Sequence, residues 1–196
     1  MTELKVNVNN LVDTKHLEDI IIGCCKKERS AQEMLYQHYS AKMYAVCLYY
    51  SGNKEEAQDF LHNGFIKVFE NIKQYQKKGS FDGWMRKIFM NTALEKYRIN
   101  KKLELVKNDD ALMFIESNQE DALSKISSEH LITLIQELPP AYRMAFNLYA
   151  IEGYSHKEIS EMLNISEGTS KSNLSRARAN LQHKVKINFE LSEKSL

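Results

Sequence analysis

Two stretches of this sequence carry side chains suited to touching nucleic acid. The first is Tyr154 to Leu181, which reads Y-S-H-K-E-I-S-E-M-L-N-I-S-E-G-T-S-K-S-N-L-S-R-A-R-A-N-L. If its second half is helical, Lys171, Ser172, Ser175, Arg176 and Arg178 form the outer face. Short hydroxyls among cations suit the wall of a major groove, where serine reads donors or acceptors and Lys or Arg meets guanine or phosphate. The second stretch, residues 73–102, interleaves Tyr75, Phe81, Trp84, Phe89 and Tyr97 with lysines and arginines. Aromatic faces stack on unpaired bases at about 1–3 kcal/mol per base while cations follow the backbone, which suits locally melted DNA. Phe89 and Tyr97, at helical spacing from Trp84 and Ala93, are the best candidates for core. Loop residues Lys77 to Phe81 are freer to meet a base.

Helices must position both stretches. Ser155 with Glu158 forms a capping box that opens a short helix, with Ile159, Met162 and Leu163 facing inward. Asn164 stands where the chain turns sharply, since Asn tolerates left-handed backbone. Ile165 plugs the angle, and Ser166 caps a second helix whose Leu174, Ala177 and Leu181 face inward. Upstream, a helical block runs from about Lys15 to Tyr50, with an apolar stripe through Met34, Leu35, Tyr39, Met43, Val46, Cys47 and Tyr50. Gly52 stops it, and Asn53 with Glu56 caps the next helix. That helix has Ala57, Phe60, Leu61, Gly64, Phe65, Val68, Phe69 and Ile72 inside. Glu56, Asp59, His62, Asn63 and Lys67 are left for solvent or a partner. Tyr75 to Gly83 reads as a loop, with Gly79 and Ser80 as breaker and cap, before a long helix from Trp84 to about Lys102. Helical spacing resumes at Ala122, stops at Pro139-Pro140, and a further helix runs through Met144, Phe146, Leu148 and Ile151 to Gly153.

Composition bounds the rest. The chain has 196 residues, 43 % hydrophobic, with only 7 Gly and 2 Pro, so helices rather than sheets are expected. No run of about 18 apolar residues suggests a membrane span, and the N-terminus lacks the layout of a signal peptide. A cytoplasmic protein is expected, and Cys24, Cys25 and Cys47 read as reduced thiols. Net charge is only +1, yet it is unevenly placed. Residues 73–108 carry ten Lys/Arg against three acids, residues 109–121 five acids and no base, and residues 167–187 five bases against Glu167. Two basic blocks flanking an acidic one suggest two phosphate-facing surfaces joined by a linker. No Gly-rich phosphate loop, G-x-S-x-G or H-E-x-x-H occurs, and the six histidines are scattered, so no catalytic, cofactor or metal site is expected.

Together these features resemble the extracytoplasmic-function sigma factors, the smallest group of the sigma-seventy family. The resemblance spans roughly Glu28 to Lys186. It rests on A-Q-D-F-L-H-N-G-F-I-K-V-F, then F-D-G-W-M-R-K-I-F-M-N-T-A-L-E-K-Y-R, then L-P-P-A-Y-R-M-A-F-N-L-Y-A-I-E-G-Y-S-H-K-E-I-S-E-M-L-N-I-S-E-G-T-S-K-S-N-L-S-R-A-R. It implies a non-enzymatic factor that directs core RNA polymerase to promoters. It also implies an all-α fold of two small helical domains joined by a flexible acidic linker, the second a winged-helix-like helix-turn-helix of four helices. The implied boundaries are 1–25 for an N-terminal extension, 26–104 for sigma domain two, 105–121 for the linker, 122–187 for sigma domain four and 188–196 for a tail. Glu56, Asp59, His62, Asn63 and Lys67 are implied to meet core polymerase, with His62 and Asn63 where the family commonly has a Gln-Glu pair. Lys77, Lys78, Ser80, Phe81, Trp84, Lys87, Asn91 and Arg98 are implied to handle the minus-ten element. Ser155, Thr169, Lys171, Ser172, Ser175, Arg176 and Arg178 are implied to read the minus-thirty-five element, with Ser170 and Ser175 where relatives are more often apolar. The implied partners are the beta-prime clamp and beta flap of core polymerase, promoter DNA and an anti-sigma factor, with no membrane insertion and no cofactor. Two other readings are a stand-alone helix-turn-helix regulator, which needs no melted-DNA segment, and a helical protein–protein adaptor.

Overall fold

The computed structural model describes residues 14–104 and 128–193, with side chains defined over 16–101 and 129–187. The acidic linker at 105–121 and the helical start at 122 lie outside the described residues. Among the described residues there are only helices and turns. In chain order the helices are α1 (Thr14–Cys25), α2 (Arg29–Tyr50), α3 (Lys54–Asn71), α4 (Phe81–Glu104), α5 (Ser128–Gln136), α6 (Pro140–Phe146), α7 (His156–Leu163) and α8 (Glu167–Glu193). A 3-10 turn, Ile72–Gln74, follows α3, and a π turn, Asn147–Ile151, follows α6. None of the described helices is long and apolar enough to cross a membrane.

In the N-terminal module α2 is the central helix, packed against α1, α3 and α4. Its buried residues, Ala31, Leu35, Tyr39, Met43, Val46, Cys47 and Tyr50, recur at three- and four-residue steps, which puts one apolar stripe on the core side. The expected helical block from about Lys15 to Tyr50 is made of two helices, α1 and α2. The break is at Lys27, whose φ of 64° is left-handed, and the Glu28 amide donates back to the Gly23 carbonyl. Gly23 permits the fold-back, because a Cβ there would lie 2.6 Å from Ala31 Cβ. Helix α1, within the expected N-terminal extension, buries Ile20, Ile21 and Cys24 in the same core.

Burial also settles the cysteines. Cys24 and Cys47 are 1 % and 3 % exposed. Burial pushes their thiols up to about 11 and about 12 respectively, so neither forms the nucleophilic thiolate at neutral pH. Alkylation of the native chain at pH 8 is expected to spare both, and unfolding should expose them. Rapid native labelling of Cys47 would contradict this packing.

The C-terminal module places α6 and α7 on α8, with α5 against α8. Its own core gathers Leu134, Ile135, Leu138, Tyr142, Phe146, Leu174, Ala177, Leu181 and Val185. The π turn is a departure from the expected regular helix to Gly153. Its extra residue turns Asn147 and Leu148 inward, both fully buried, and leaves Tyr149 and Ala150 exposed. The two modules touch: α5 and α6 lie against α2, and α7 lies against α4. Met144, Leu148, Ile159 and Leu163 accordingly belong to the apolar cluster of the N-terminal module.

Candidate nucleic-acid interface

The helix-turn-helix is built as its residues dictate. Ser155 Oγ accepts from the Glu158 amide while the Glu158 carboxylate accepts from the Ser155 amide, so the box at the start of α7 is complete. Those bonds, led by the Ser155 hydroxyl, hold the Glu158 carboxyl below its ordinary value. Asn164 ends α7 at φ 51°, ψ 59°, and Ser166 Oγ accepts from the Thr169 amide at the start of α8. Leu174, Ala177 and Leu181 are buried, which fixes the opposite face of α8 outward. On that face Thr169, Lys171, Ser175 and Arg178 are exposed. Ser172 is half-buried and donates to the Thr169 carbonyl. Arg176 is half-buried with its guanidinium 6.0 Å from the Tyr142 ring, and Arg178 lies 5.7 Å from the Tyr149 ring. The cationic face is thus held in position by rings beneath it.

Ser170 is fully buried. Its hydroxyl meets His156 Nδ1 at 3.0 Å, and His156 stacks on Tyr149 at 4.7 Å. A polar pair therefore joins α7 to α8 in the interior of the helix-turn-helix. Sequence spacing showed no sign of it, because the partners lie fourteen residues apart on different helices.

The cap at Ser155 is a modest support. Ser155→Ala should cost about 1 kcal/mol at neutral pH, the usual worth of an N-cap. Because the Glu158 carboxyl is held low in the folded state, its contribution is complete above the unfolded carboxylate range. It fades as pH falls through the lower folded value. Thermal melts at pH 7 and below pH 4 should show the wild-type advantage shrinking with acid. An advantage independent of pH would remove Glu158 from the box.

The segment expected at melted DNA is ordered around an aromatic cluster. Phe81 is only 4 % exposed. It sits 5.7 Å from Tyr39, 5.0 Å from Tyr75 and 5.4 Å from Trp84. This corrects the expectation that Phe81 meets a base: it is the centre on which the loop folds. Helix α4 accordingly begins at Phe81, three residues before Trp84, with Ser80 Oγ accepting from the Gly83 amide. Ser80 is an N-cap and is exposed. Lys77 pairs with Glu18 at 2.8 Å, whereas Lys78 is exposed without a pairing of this kind. Trp84 is half-buried, Lys87 and Asn91 are exposed, and these three share a face of α4 with Arg98 at three-, four- and seven-residue steps. Arg98 Nε donates to the Met162 carbonyl of α7 at 2.7 Å, so in this arrangement it is engaged with the other module.

On α3, Asp59, His62 and Asn63 are exposed side by side. Glu56 is not free: its carboxylate accepts from the Gly52 amide and lies 3.6 Å from Lys96. Asn53 accepts from the Glu56 amide as expected, but Glu56 closes the box one residue earlier than a standard one. Lys67 pairs with Glu95. Ile66, 54 % exposed, continues the Asp59–Asn63 stripe and was missed in the sequence. The available signal was an isoleucine lying off the inward apolar stripe. Among the described residues no cluster of His, Cys, Asp or Glu could hold a metal.

Comparison with known proteins agrees with this division. Residues 35–102 match the model for sigma-70 region 2, and residues 128–181 match that for sigma-70 region 4. The chain is 31 % identical to the ECF RNA polymerase sigma factor SigM of Bacillus subtilis, over 76 % of this chain and 91 % of that protein. It is 32 % identical to RNA polymerase sigma factor SigZ of the same organism, over 63 % and 69 %. Against the ECF sigma factor SigE of Mycolicibacterium smegmatis it is 31 % identical over 78 % of this chain, spanning 60 % of that longer relative. Among solved structures it is similar to sigma factor RpoE in complex with the anti-sigma factor NepR from Bartonella quintana. That match has a TM-score of 0.47 and 18 % identity, and covers 79 % of this chain and 96 % of that one. With both sigma-70 regions in order, and relatives of this identity matched over most of their length, the chain belongs to the extracytoplasmic-function sigma factors of the sigma-70 family.

Proposed function

We propose that this protein directs core RNA polymerase to specific promoters and takes part in transcription initiation without catalysing a reaction itself. The observation that carries the reading is the exposed row Thr169, Lys171, Ser175 and Arg178 on α8 of a complete helix-turn-helix, in one chain with a region-2 module. Helix α8 would read duplex DNA at the minus-thirty-five element through cations and hydroxyls. Lys78, Trp84, Lys87, Asn91 and, once released, Arg98 would hold the minus-ten strand. Asp59, His62, Asn63 and Ile66 would meet the beta-prime clamp, and an apolar face of the C-terminal module the beta flap. Lys77, Ser80, Glu56 and Lys67 have structural partners and would act by shaping those surfaces. An anti-sigma factor is a further partner by family membership, and the site of action is the cytoplasm.

Two tethered modules gain from effective concentration, so neither needs high affinity alone. A nearly neutral chain also limits nonspecific binding, which grows with phosphate neutralisation. A stand-alone regulator would have no use for the region-2 match over residues 35–102, which disfavours that alternative. The test is association: the purified chain should co-elute with bacterial core polymerase, and the mixture should protect promoter DNA at two separated patches. Elution apart from core at micromolar concentrations would end the proposal.

A further inference from the structure

The polar pair inside the helix-turn-helix leads outward to its DNA face. A buried hydroxyl is costly unless it is bonded. The 3.0 Å contact of Ser170 Oγ with His156 Nδ1 therefore fixes the rotation of the imidazole, which stands at the first position of α7. The ring so fixed lies nearly parallel to Tyr149, with 4.7 Å between centroids and 21° between planes. Tyr149 in turn lies under the Arg178 guanidinium at 5.7 Å. The contacts thus leave α8 at Ser170 and return to it at Arg178, ~12 Å further along the helix. The π turn Asn147–Ile151 places the tyrosine for this, burying Asn147 and Leu148 and leaving Tyr149 37 % exposed. Such turns are frequent at functional sites.

Arg178 stands at the far end of the outward row. Lys171, Ser175 and Arg178 follow one another at steps of four and three on one face of α8. A recognition helix meets base edges with its N-terminal residues, and Arg178 lies ~10 Å beyond Lys171 along the axis. At that distance a side chain leaves the groove floor for the phosphates that border it. Phosphate contacts fix the register in which base contacts are made. A free arginine loses rotamer freedom at each binding event, whereas one already held over a ring has lost it beforehand. The negative face of an aromatic ring holds a cation without consuming its N–H donors, which stay available to phosphate oxygens.

We infer that Tyr149, seated by His156 and Ser170, is a platform that aims Arg178 at a phosphate bordering the minus-thirty-five element. The inference rests on the sigma-factor reading for the identity of the DNA, and extends it to three residues beneath the reading face. All three are positioning residues. Ser170 sets the His156 ring, His156 supports Tyr149, and Tyr149 limits where the Arg178 guanidinium can go. The buried Leu174, Ala177 and Leu181 already seat α8 on its core, so a hydroxyl at Ser170 is not needed to bury that helix. Its use is to orient the imidazole.

The test assembles the full-length chain with bacterial core polymerase and measures binding of a fluorescent promoter duplex over a salt series. Arg178→Ala should flatten the log–log salt slope by about 0.9, the share of one phosphate contact. Tyr149→Leu and Ser170→Ala should each weaken binding about two- to tenfold with the slope unchanged, the factor forfeited when a flexible side chain must be ordered on binding. Tyr149→Phe, which keeps the ring, should restore the wild-type affinity. In the Arg178→Ala background neither Tyr149→Leu nor Ser170→Ala should weaken binding further. Losses of the same size in that background would show that these residues only stiffen the motif, and would overturn the inference. Wild-type affinity in Tyr149→Leu would overturn it too. Tyr149 is partly exposed, so Tyr149→Leu tests the platform even where Ser170→Ala unfolds. A second measurement needs neither polymerase nor DNA: the heteronuclear NOE of the Arg178 Nε–H in the free chain. It should report an ordered group in the wild type and Tyr149→Phe, and a mobile one in Tyr149→Leu. A mobile Arg178 in the wild type would overturn the inference even where promoter binding succeeds. An ordered Arg178 in a chain that ignores promoters would instead sink the sigma-factor reading and leave the platform standing.

Discussion

Phe89→Ala is expected to cost the N-terminal module about 3–5 kcal/mol, a large share of the ~5–15 kcal/mol that holds an ordinary domain folded. Phe89 is 2 % exposed and meets Phe65 edge-on at 5.4 Å between ring centroids. Its ring also fills the space above Gly64, where a Cβ would come within 2.2 Å of it. Truncation therefore loses the transfer free energy of a whole ring and leaves a cavity between α3 and α4. In urea unfolding followed by circular dichroism the midpoint should fall sharply. Gly64→Ala alone should cost about 1–3 kcal/mol from overpacking against the same ring. In the Phe89→Ala background that penalty should vanish, because the obstructing ring is gone. Additive costs would mean that α3 and α4 do not approach at Gly64 as described.

Lys171→Ala combined with Arg176→Ala should reduce promoter-directed initiation by at least tenfold while leaving association with core polymerase unchanged. Lys171 is exposed, and Arg176 is half-buried over Tyr142. A single cation at a base edge is worth about 1–3 kcal/mol of discrimination. Loss of two phosphate or base contacts should also flatten the salt dependence of DNA binding, by about 0.9 in log–log slope per contact. A helical adaptor would be indifferent to the double change. Unaltered initiation together with an unaltered salt slope would show that α8 does not read DNA.

Local physics made much of this legible. The Ser155–Glu158 box, the left-handed Asn164 and the inward Leu174, Ala177 and Leu181 follow from capping and periodicity alone, and each stands where expected. The Asn53 cap and the apolar faces of α2 and α3 were legible for the same reason, except that Met34, expected on the α2 stripe, is exposed. What escaped was nonlocal. Phe81 follows a glycine-serine breaker and so looks like a loop residue, yet Tyr39, forty-two positions earlier, supplies a wall that buries it. Lys27 breaks the first helical block with no Pro at the break, because the fold-back depends on Gly23 meeting Ala31. Nor does periodicity single out Glu152, whose partners Arg86 and Tyr50 lie 66 and 102 residues away. Periodicity assigns a residue to an inside or an outside, and it carries no information about which separate module that inside will face.

The central claim is a division of labour between two helical modules on one promoter, and run-off transcription tests it most directly. Core polymerase, a promoter-bearing template and nucleotides would be assayed with and without the purified chain. The account predicts a discrete transcript that appears only when the chain is present and is lost when the minus-thirty-five element is scrambled. A template transcribed equally with and without the chain, across a set of promoters drawn from its own genome, would contradict it.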